Sequence, residues 1–419
     1  GNVVRWDFFG GNLQGVRKKL PYLKKLGIDV IYFNPIFKAA SNHKYDVGDY
    51  LKIDEMFGDN QLFEILVKEA AELGISVILD GVFSHTGSDS KYFNKYDNYK
   101  ESGAYQSKKS KYFEWYKFED WPENYESWWG ESDLPEIDEL NTSYQDFLIY
   151  DKNSVLKYWM NKGIKGWMLD VADELPESFL QNFKQELKKC DPEAVLLGEV
   201  WEDASNKISY GERRKYFSDN ELDSVTNYPF RKILINYITG KENAEKTHLA
   251  LKTLKENYPL SNFYSTLNLL GSHDVTRILT ELTPVLNQGK LERQIGIKRL
   301  KQLILWQMTF PGTPSIFYGD EAGVRGGRDP DNRRTYPWGD ENQELLNWYK
   351  ENIFLRNHHD LFRTGEWISL NLEENVYGYI RKIEKNQDIF QDKKENNTAL
   401  VLFNPDFNNS KQITFDLTS

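Results

Sequence analysis

The stretch Gly166-Trp167-Met168-Leu169-Asp170-Val171-Ala172-Asp173-Glu174 starts apolar and finishes acidic. That is the pattern of a buried parallel strand whose last side chains open into a pocket at the sheet's carboxyl end. The form recurs. Ala194 to Leu197 is apolar and leads to Gly198-Glu199-Val200-Trp201, and Tyr264 to Leu270 leads to Gly271-Ser272-His273-Asp274. If the three are strands of one barrel, Asp170, Glu199 and Asp274 converge at one of its ends.

The rest of the chain repeats the same helix, glycine, apolar strand and polar tail, which is the βα order of a TIM (β/α)8 barrel in the α/β class. A stripe of Leu13, Val16, Leu20, Leu23 and Leu26 predicts a helix, and Gly27 to Phe33 a buried strand. A polar loop is expected over 41–50, a helix over 60–73 and a strand from Ser76 to Asp80. Residues 86–140 interrupt the rhythm with a Tyr- and Trp-rich stretch that includes Trp115, Trp121, Trp128 and Trp129. A loop of that length is usually functional, so an inserted lobe over the barrel mouth is expected, with a surface excursion packed on itself as the alternative.

Regular spacing then returns. Helices are predicted at 143–162, 176–189, 244–256, 291–308 and 341–355, with further strands over Glu221–Thr226 and Ser315–Glu321. From about residue 365 the period changes to two, in Val376 to Arg381 and Ala399 to Asn404, as in a small antiparallel β domain. The expected division is a catalytic barrel at 1–364 and a β domain at 365–419. The barrel strand that should precede the first helix is missing or reduced to Val3 to Phe8, and the opening residues read as the cut edge of a longer chain. An amino-terminal fragment of the same protein is therefore an expected partner.

Composition narrows the partners. A formal charge of −11 offers no basic excess to offset phosphate repulsion, which argues against nucleic acid. No apolar run is long enough to span a membrane. The single cysteine, Cys190, excludes an internal disulfide and a cysteine-based metal site. It fits a reducing compartment and favours a cytoplasmic setting, with a secreted one left open because many secreted microbial enzymes also lack cystines.

Glycosidic hydrolysis with retention needs one carboxylate as nucleophile and a second, protonated, as general acid. Neighbouring barrel strands would supply both in Asp170 and Glu199, and a third acid, Asp274, would raise the proton affinity of a neighbour by repulsion. His85 and His273 suit hydrogen bonds to sugar hydroxyls. Each has a plainer alternative: a strand-end Asp as a helix cap, a His as a satisfied structural residue, the acids as a divalent-ion site.

These motifs together resemble the alpha-amylase family of glycoside hydrolases. Asp80-Gly81-Val82-Phe83-Ser84-His85 is similar to its first motif, Gly166 to Glu174 to the nucleophile motif, Glu199-Val200-Trp201 to the acid/base motif and Leu270 to Asp274 to the motif of the third carboxylate. The resemblance implies Asp170 as nucleophile, Glu199 as general acid/base and Asp274 as stabiliser of the transition state. It also implies sugar contacts from His85 and His273, stacking by Tyr45 and a donor-side pair in Asp329 and Arg333. His43 to Asp46, Glu174 and Leu134 to Asn141 point to the cyclomaltodextrinase, neopullulanase and maltogenic amylase branch, with Glu174 among the substrate contacts. Substrates implied are α-1,4-linked maltodextrins and cyclodextrins. α-1,6-Glucosidase or glucan-transferring activity is the alternative within the fold.

Two departures matter chemically. Met168 stands where the family has an arginine two residues before the nucleophile, which leaves open a weakly active or inactive α-glucan-binding relative. Ser84 stands where many amylases have a calcium-binding asparagine. No cofactor is expected to be required, calcium staying open.

Overall fold

The computed structural model describes residues 6–218, 220–285 and 292–414. They fall into two compact units. One holds Trp6–Val200 and Ala204–Val225, the other the described residues of Trp201–Asp203 and Thr226–Ser419.

The first unit is built on a parallel sheet of five strands, ordered Val30–Phe33, Ser76–Gly81, Gly166–Leu169, Val195–Gly198 and Ser224–Val225. Helices separate the first four, and the last two are joined through a short hairpin, Ile208–Ser209 with Glu212–Arg213. Helix Leu13–Leu26 starts at Asn12, whose side chain accepts from Gly15 N at 2.8 Å. It stops at Gly27, where φ of 94° lets the chain turn back with its N–H on the Leu23 and Lys24 carbonyls. Asn60–Glu72 is capped by Asp59 and buries Phe63, Leu66, Val67 and Ala70, the stripe expected of a helix lying on a sheet.

In the second unit Leu267–Leu269 and Thr313–Ser315 form a parallel pair. Helices Tyr228–Ile238 and Ala244–Asn257 precede the first of these strands, and Arg293–Thr309 leads into the second. The α/β order is that of a (β/α)8 barrel, and a separate three-stranded antiparallel sheet, Glu366–Asn371, Tyr377–Ile383 and Asn397–Phe403, completes the chain. The reduced first strand expected at Val3 to Phe8 lies in part on residues 3–5, outside the described residues, and Trp6 to Phe8 run as turn and coil.

Several expectations change. The polar loop at 41–50 is a strand from Val47 onward, Val47–Ile53, paired with Phe37–Ala39. Its polar backbone is satisfied by the lobe, through Gly87 N to Val47 O and Lys91 N to Gly48 O. The helix expected at 143–162 breaks into Thr142–Gln145, a π turn at Asp146–Tyr150 and Val155–Met160. Asp151 to Asn153 do not propagate it, and Ser154 caps the restart. Tyr264 belongs to helix Leu260–Ser265, so the strand before His273 shortens to Leu267–Leu269. The strand expected at Ser315–Glu321 sits earlier, at Thr313–Ser315, because Glu321 folds back to accept Gly319 N at 2.8 Å and holds a turn there. Helix Tyr228–Ile238 was not expected; Asn227 caps it and Pro229 sits in its first turn.

Candidate active site

Parallel pairing fixes which side chains share a face. Tyr32 lies opposite Ile78, Asp80 opposite Met168, and Met168 opposite Leu197. Strand alternation sends Val77, Leu79, Trp167 and Leu196 the other way, where Trp167 meets Phe183 of helix Glu177–Cys190 at 6.0 Å between rings. Asp170 and Glu199 each follow the last strand residue, in step with Met168 and Leu197, and thus emerge on the Asp80 face. Their backbones extend the ladder: Asp170 N donates to Gly81 O at 3.1 Å and Glu199 N to Leu169 O at 3.0 Å.

The two carboxylates belong to one local arrangement. Val171 N–H, next in chain to Asp170, donates to Glu199 Oε2 at 3.3 Å. Val171 has φ of 40°, a left-handed backbone that a β-branched residue rarely adopts. Tyr32 donates its phenol hydrogen to Asp80, whose Oδ2 also lies 3.5 Å from the Tyr45 hydroxyl. Desolvation first, then Asp80, then Glu199 and Asp170 hold the Tyr32 phenol well above its ordinary pKa. The Tyr32 hydroxyl is therefore neutral, bonded to Asp80 and sensing the charges of Glu199 and Asp170.

His85, Tyr45 and Glu174 surround this arrangement within the same unit. His85 is 1% exposed, with Nδ1 3.0 Å from the Ser84 hydroxyl and Nε2 buried without a hydrogen-bond partner among the described residues. Burial lowers its pKa to about 4, against an opposing effect of the Tyr45 main chain and with help from His43. It is neutral at neutral pH. Tyr45 is half-buried and stacks on His43 with rings 6.0 Å apart. The loop between them is held by buried Lys44, which reaches Asp54 at 2.8 Å and the Ala39 carbonyl at 2.9 Å. Glu174 accepts the indole N–H groups of Trp128 and Trp129 from the lobe.

The second unit holds its own cluster. Asp274 Oδ2 lies 3.1 Å from His273 Nε2 and Oδ1 3.8 Å from Arg333, which also pairs with Asp329. Asn332 fixes the loop by donating to the His273 carbonyl at 2.6 Å and that of Val275 at 2.9 Å. Burial, and then Arg333, lower the His273 pKa to about 3. Trp201 stacks on Tyr228 at 4.0 Å and 6°, and the Tyr228 hydroxyl meets Ser272 Oγ at 3.1 Å.

The description Alpha amylase, catalytic domain matches residues 2–360. The chain belongs to the alpha-amylase family. Within this family of glycoside hydrolases it lies close to the cyclomaltodextrinase and neopullulanase branch. Amylopullulanase from Thermoanaerobacterium saccharolyticum is 42% identical over 446 residues, covering 98% of this chain and 34% of its own length. Neopullulanase 2 from Thermoactinomyces vulgaris is 36% identical over 390 residues, covering 90% of this chain and 61% of its own. Cyclic alpha-maltosyl-(1→6)-maltose hydrolase from Arthrobacter globiformis, solved in complex with maltose, superposes with a TM-score of 0.80 at 26% identity over 91% of this chain and 82% of that one. The chain thus spans about a third of the first relative's length and less than two thirds of the second's.

Tyr32 and the indole pair on Glu174 were not among the residues singled out as site candidates. Tyr32 could have been reached from the strand pattern, since its position and Asp80 share a face of adjacent strands. The indole contacts join residues 46 and 45 apart in sequence, through a lobe with no regular period to read. Ser84, which stands where many alpha-amylases have a calcium-binding asparagine, is buried with its hydroxyl 3.0 Å from His85 Nδ1. Among the described residues no group of three or more His, Cys, Asp or Glu is placed to hold a metal, and no helix is long and apolar enough to cross a membrane.

Proposed function

We propose that this chain hydrolyses α-1,4-glucosidic bonds of maltodextrins and cyclodextrins with retention of configuration. The observation that carries the reading is the pairing of Asp170 and Glu199 at the ends of adjacent parallel strands, linked through Val171 N–H. Asp170 attacks the anomeric carbon as Glu199 gives its proton to the departing glycosidic oxygen, leaving a glycosyl ester on Asp170. Glu199, now ionised, takes a proton from water, whose oxygen attacks the same carbon and releases Asp170. Both atoms and charge balance, and this two-carboxylate route calls for no metal.

The remaining residues take supporting roles in this reading. Asp274 lies beside Arg333 and His273, a carboxylate suited to binding sugar hydroxyls and stabilising positive charge at the anomeric centre. His85 and His273, both neutral, offer ring nitrogens to hydroxyls. Tyr45 stacks on the ring at the cleaved bond, and Asp329 with Arg333 holds the unit on the donor side.

A time course on maltoheptaose with wild type and Asp170→Asn tests the reading. Wild type is expected to release products whose new reducing ends are α-anomers, and the variant to lose at least 1000-fold in rate, on the order of removing a nucleophile. Equal rates, or β-anomeric products, would refute it. Binding of maltoheptaose without release of reducing ends by wild type would support instead an inactive α-glucan-binding relative. The 42% identity to an amylopullulanase favours a second reading, in which α-1,6 bonds are cut as well. On pullulan, α-1,4 cleavage leaves a trisaccharide that retains an α-1,6 bond, whereas α-1,6 cleavage gives maltotriose.

A further inference from the structure

Glu174 ends the turn that begins at Asp170, and the inserted lobe donates an indole N–H to each of its oxygens. Trp128 reaches Oε2 at 2.5 Å and Trp129 reaches Oε1 at 2.8 Å. The two indoles stack with centroids 5.4 Å apart at 27°. On the inner side Trp128 lies 5.2 Å from the His85 ring. On the outer side Trp129 is 79% exposed. An indole fixed at its only polar atom while its outer face stays in water contributes little to the core.

The backbone is arranged for this presentation. Trp129 has φ of 51° and ψ of 25°, a left-handed conformation that is unfavourable for a bulky residue. Ser127 bridges to Pro135, and Trp128 N donates to Leu134 O at 2.9 Å, closing the loop beneath it. Near the same carboxylate stands Tyr210, 78% exposed, from the turn between Ile208–Ser209 and Glu212–Arg213. Its phenol pKa is raised by partial burial and then by Glu174 and Glu136. Two exposed aromatic residues thus stand near a carboxylate one turn from Asp170.

We propose that Trp129 is a stacking platform for a glucosyl ring of an α-glucan, at least one unit removed from the bond that is cut. Glu174 is then a positioning residue that splints the tandem indoles. The C–H faces of a pyranose pack on an indole face, and a carboxylate that accepts two charge-assisted N–H bonds holds that face at a fixed angle. The inference rests on the α-glucan reading and extends it: the lobe reads chain length, while the carboxylates at the strand ends carry out the cleavage.

The test compares kcat/KM on maltoheptaose and maltotriose for wild type, Trp129→Ala, Glu174→Gln and the double variant. The ratio of the two values is expected to fall about tenfold in Trp129→Ala, the worth of one aromatic contact. Glu174→Gln keeps one acceptor oxygen but turns an amide N–H towards the other indole, so its ratio falls too. In the double variant the ratio is expected to equal that of Trp129→Ala alone, since the splint has nothing left to hold. Losses that multiply would mean Glu174 touches the sugar itself, and an unchanged ratio in Trp129→Ala would remove the platform; either result overturns the proposal. If wild type cleaves neither sugar, the hydrolase reading fails separately. Calorimetric binding of maltoheptaose then decides: about tenfold weaker binding by Trp129→Ala sustains the platform, and equal binding overturns it.

Discussion

Met168 is buried in register between Asp80 and Leu197, and two residues along a strand place it on the face from which Asp170 emerges. An arginine there would favour the ionised form of Asp170, and a thioether does not. Met168→Arg is expected to move the acid limb of kcat/KM to lower pH by about 1 unit or more and to raise turnover on that limb. Superimposable pH profiles would show that Asp170 does not sense the position. His85 allows a second prediction, on stability. Its folded pKa of about 4 lies below the unperturbed 6.5, so the unfolded chain takes up the proton first. Stability is therefore complete above pH 6.5 and is lost as pH falls towards 4. The decline in Tm between pH 7 and 5 is expected to be shallower in His85→Asn, and parallel curves would exclude this group. Asp170, Glu199 and Asp274 could be singled out from the sequence because each closes an apolar run, and the structure brings Asp170 and Glu199 to neighbouring strand ends. Tyr32 was not singled out, since its importance depends on which strands become neighbours.

Elements with a strong apolar period, such as Leu13–Leu26 and Asn60–Glu72, were read from sequence to within a residue. The misses are places where neighbours supply the hydrogen bonds. Val47–Ile53 looked like a polar loop because the buried Asp49 has a partner distant from any local pattern, pairing with Lys91 at 3.8 Å. The hairpin of Phe37–Ala39 with Val47–Ile53 depends on one such partner. Lys44, 2% exposed at its side chain, has φ of 66° and meets Asp54, 7% exposed, at 2.8 Å. Removing the ammonium leaves a buried carboxylate that keeps only the Ala39 and Met56 N–H groups. Lys44→Ala is expected to cost about 3 kcal/mol in urea unfolding and to raise KM by freeing the loop that carries Tyr45. A loss under about 1 kcal/mol would mean that the pair behaves like an exposed one. Val171 has the opposite character. Its left-handed backbone costs about 1–3 kcal/mol, which glycine avoids, so Val171→Gly is expected to melt within a few degrees of wild type yet turn over more slowly as the turn after Asp170 loosens. A large drop in Tm with unchanged kcat would contradict both halves of that expectation.

The second unit shows how the carboxyl-terminal sheet is bound to the half of the barrel it follows. The change to a period of two near residue 365 announced this sheet, and Glu366 is its first residue. What the pattern could not announce is its anchoring by a buried cation. Arg381, 0% exposed, sits on the central strand and donates to the carbonyls of Thr309, Phe362 and Gly365. Thr309 ends one helix and Phe362 lies in the last turn of another, so the guanidinium reaches carbonyls left over at helix ends. Around it Trp306 of helix Arg293–Thr309 stacks on Phe403 at 4.2 Å and on Tyr377 at 4.9 Å. Helix and sheet therefore share one core and should unfold together. Arg381→Leu leaves the Thr309 carbonyl without its donor, while the Phe362 carbonyl keeps Arg356 and that of Gly365 keeps the Tyr264 hydroxyl, at a cost of roughly 1–3 kcal/mol. Lys382→Ala, next in the chain but paired only at 3.4–3.9 Å with partly exposed glutamates, is expected to cost under about 1 kcal/mol. A chain cut after residue 365 loses both the cation and the rings that cover Trp306, and it is expected to show no cooperative melt and to bind a hydrophobic dye at neutral pH. If instead it melts sharply near the temperature of the full chain, the sheet is a separate appendage and the shared core is not what holds this unit together.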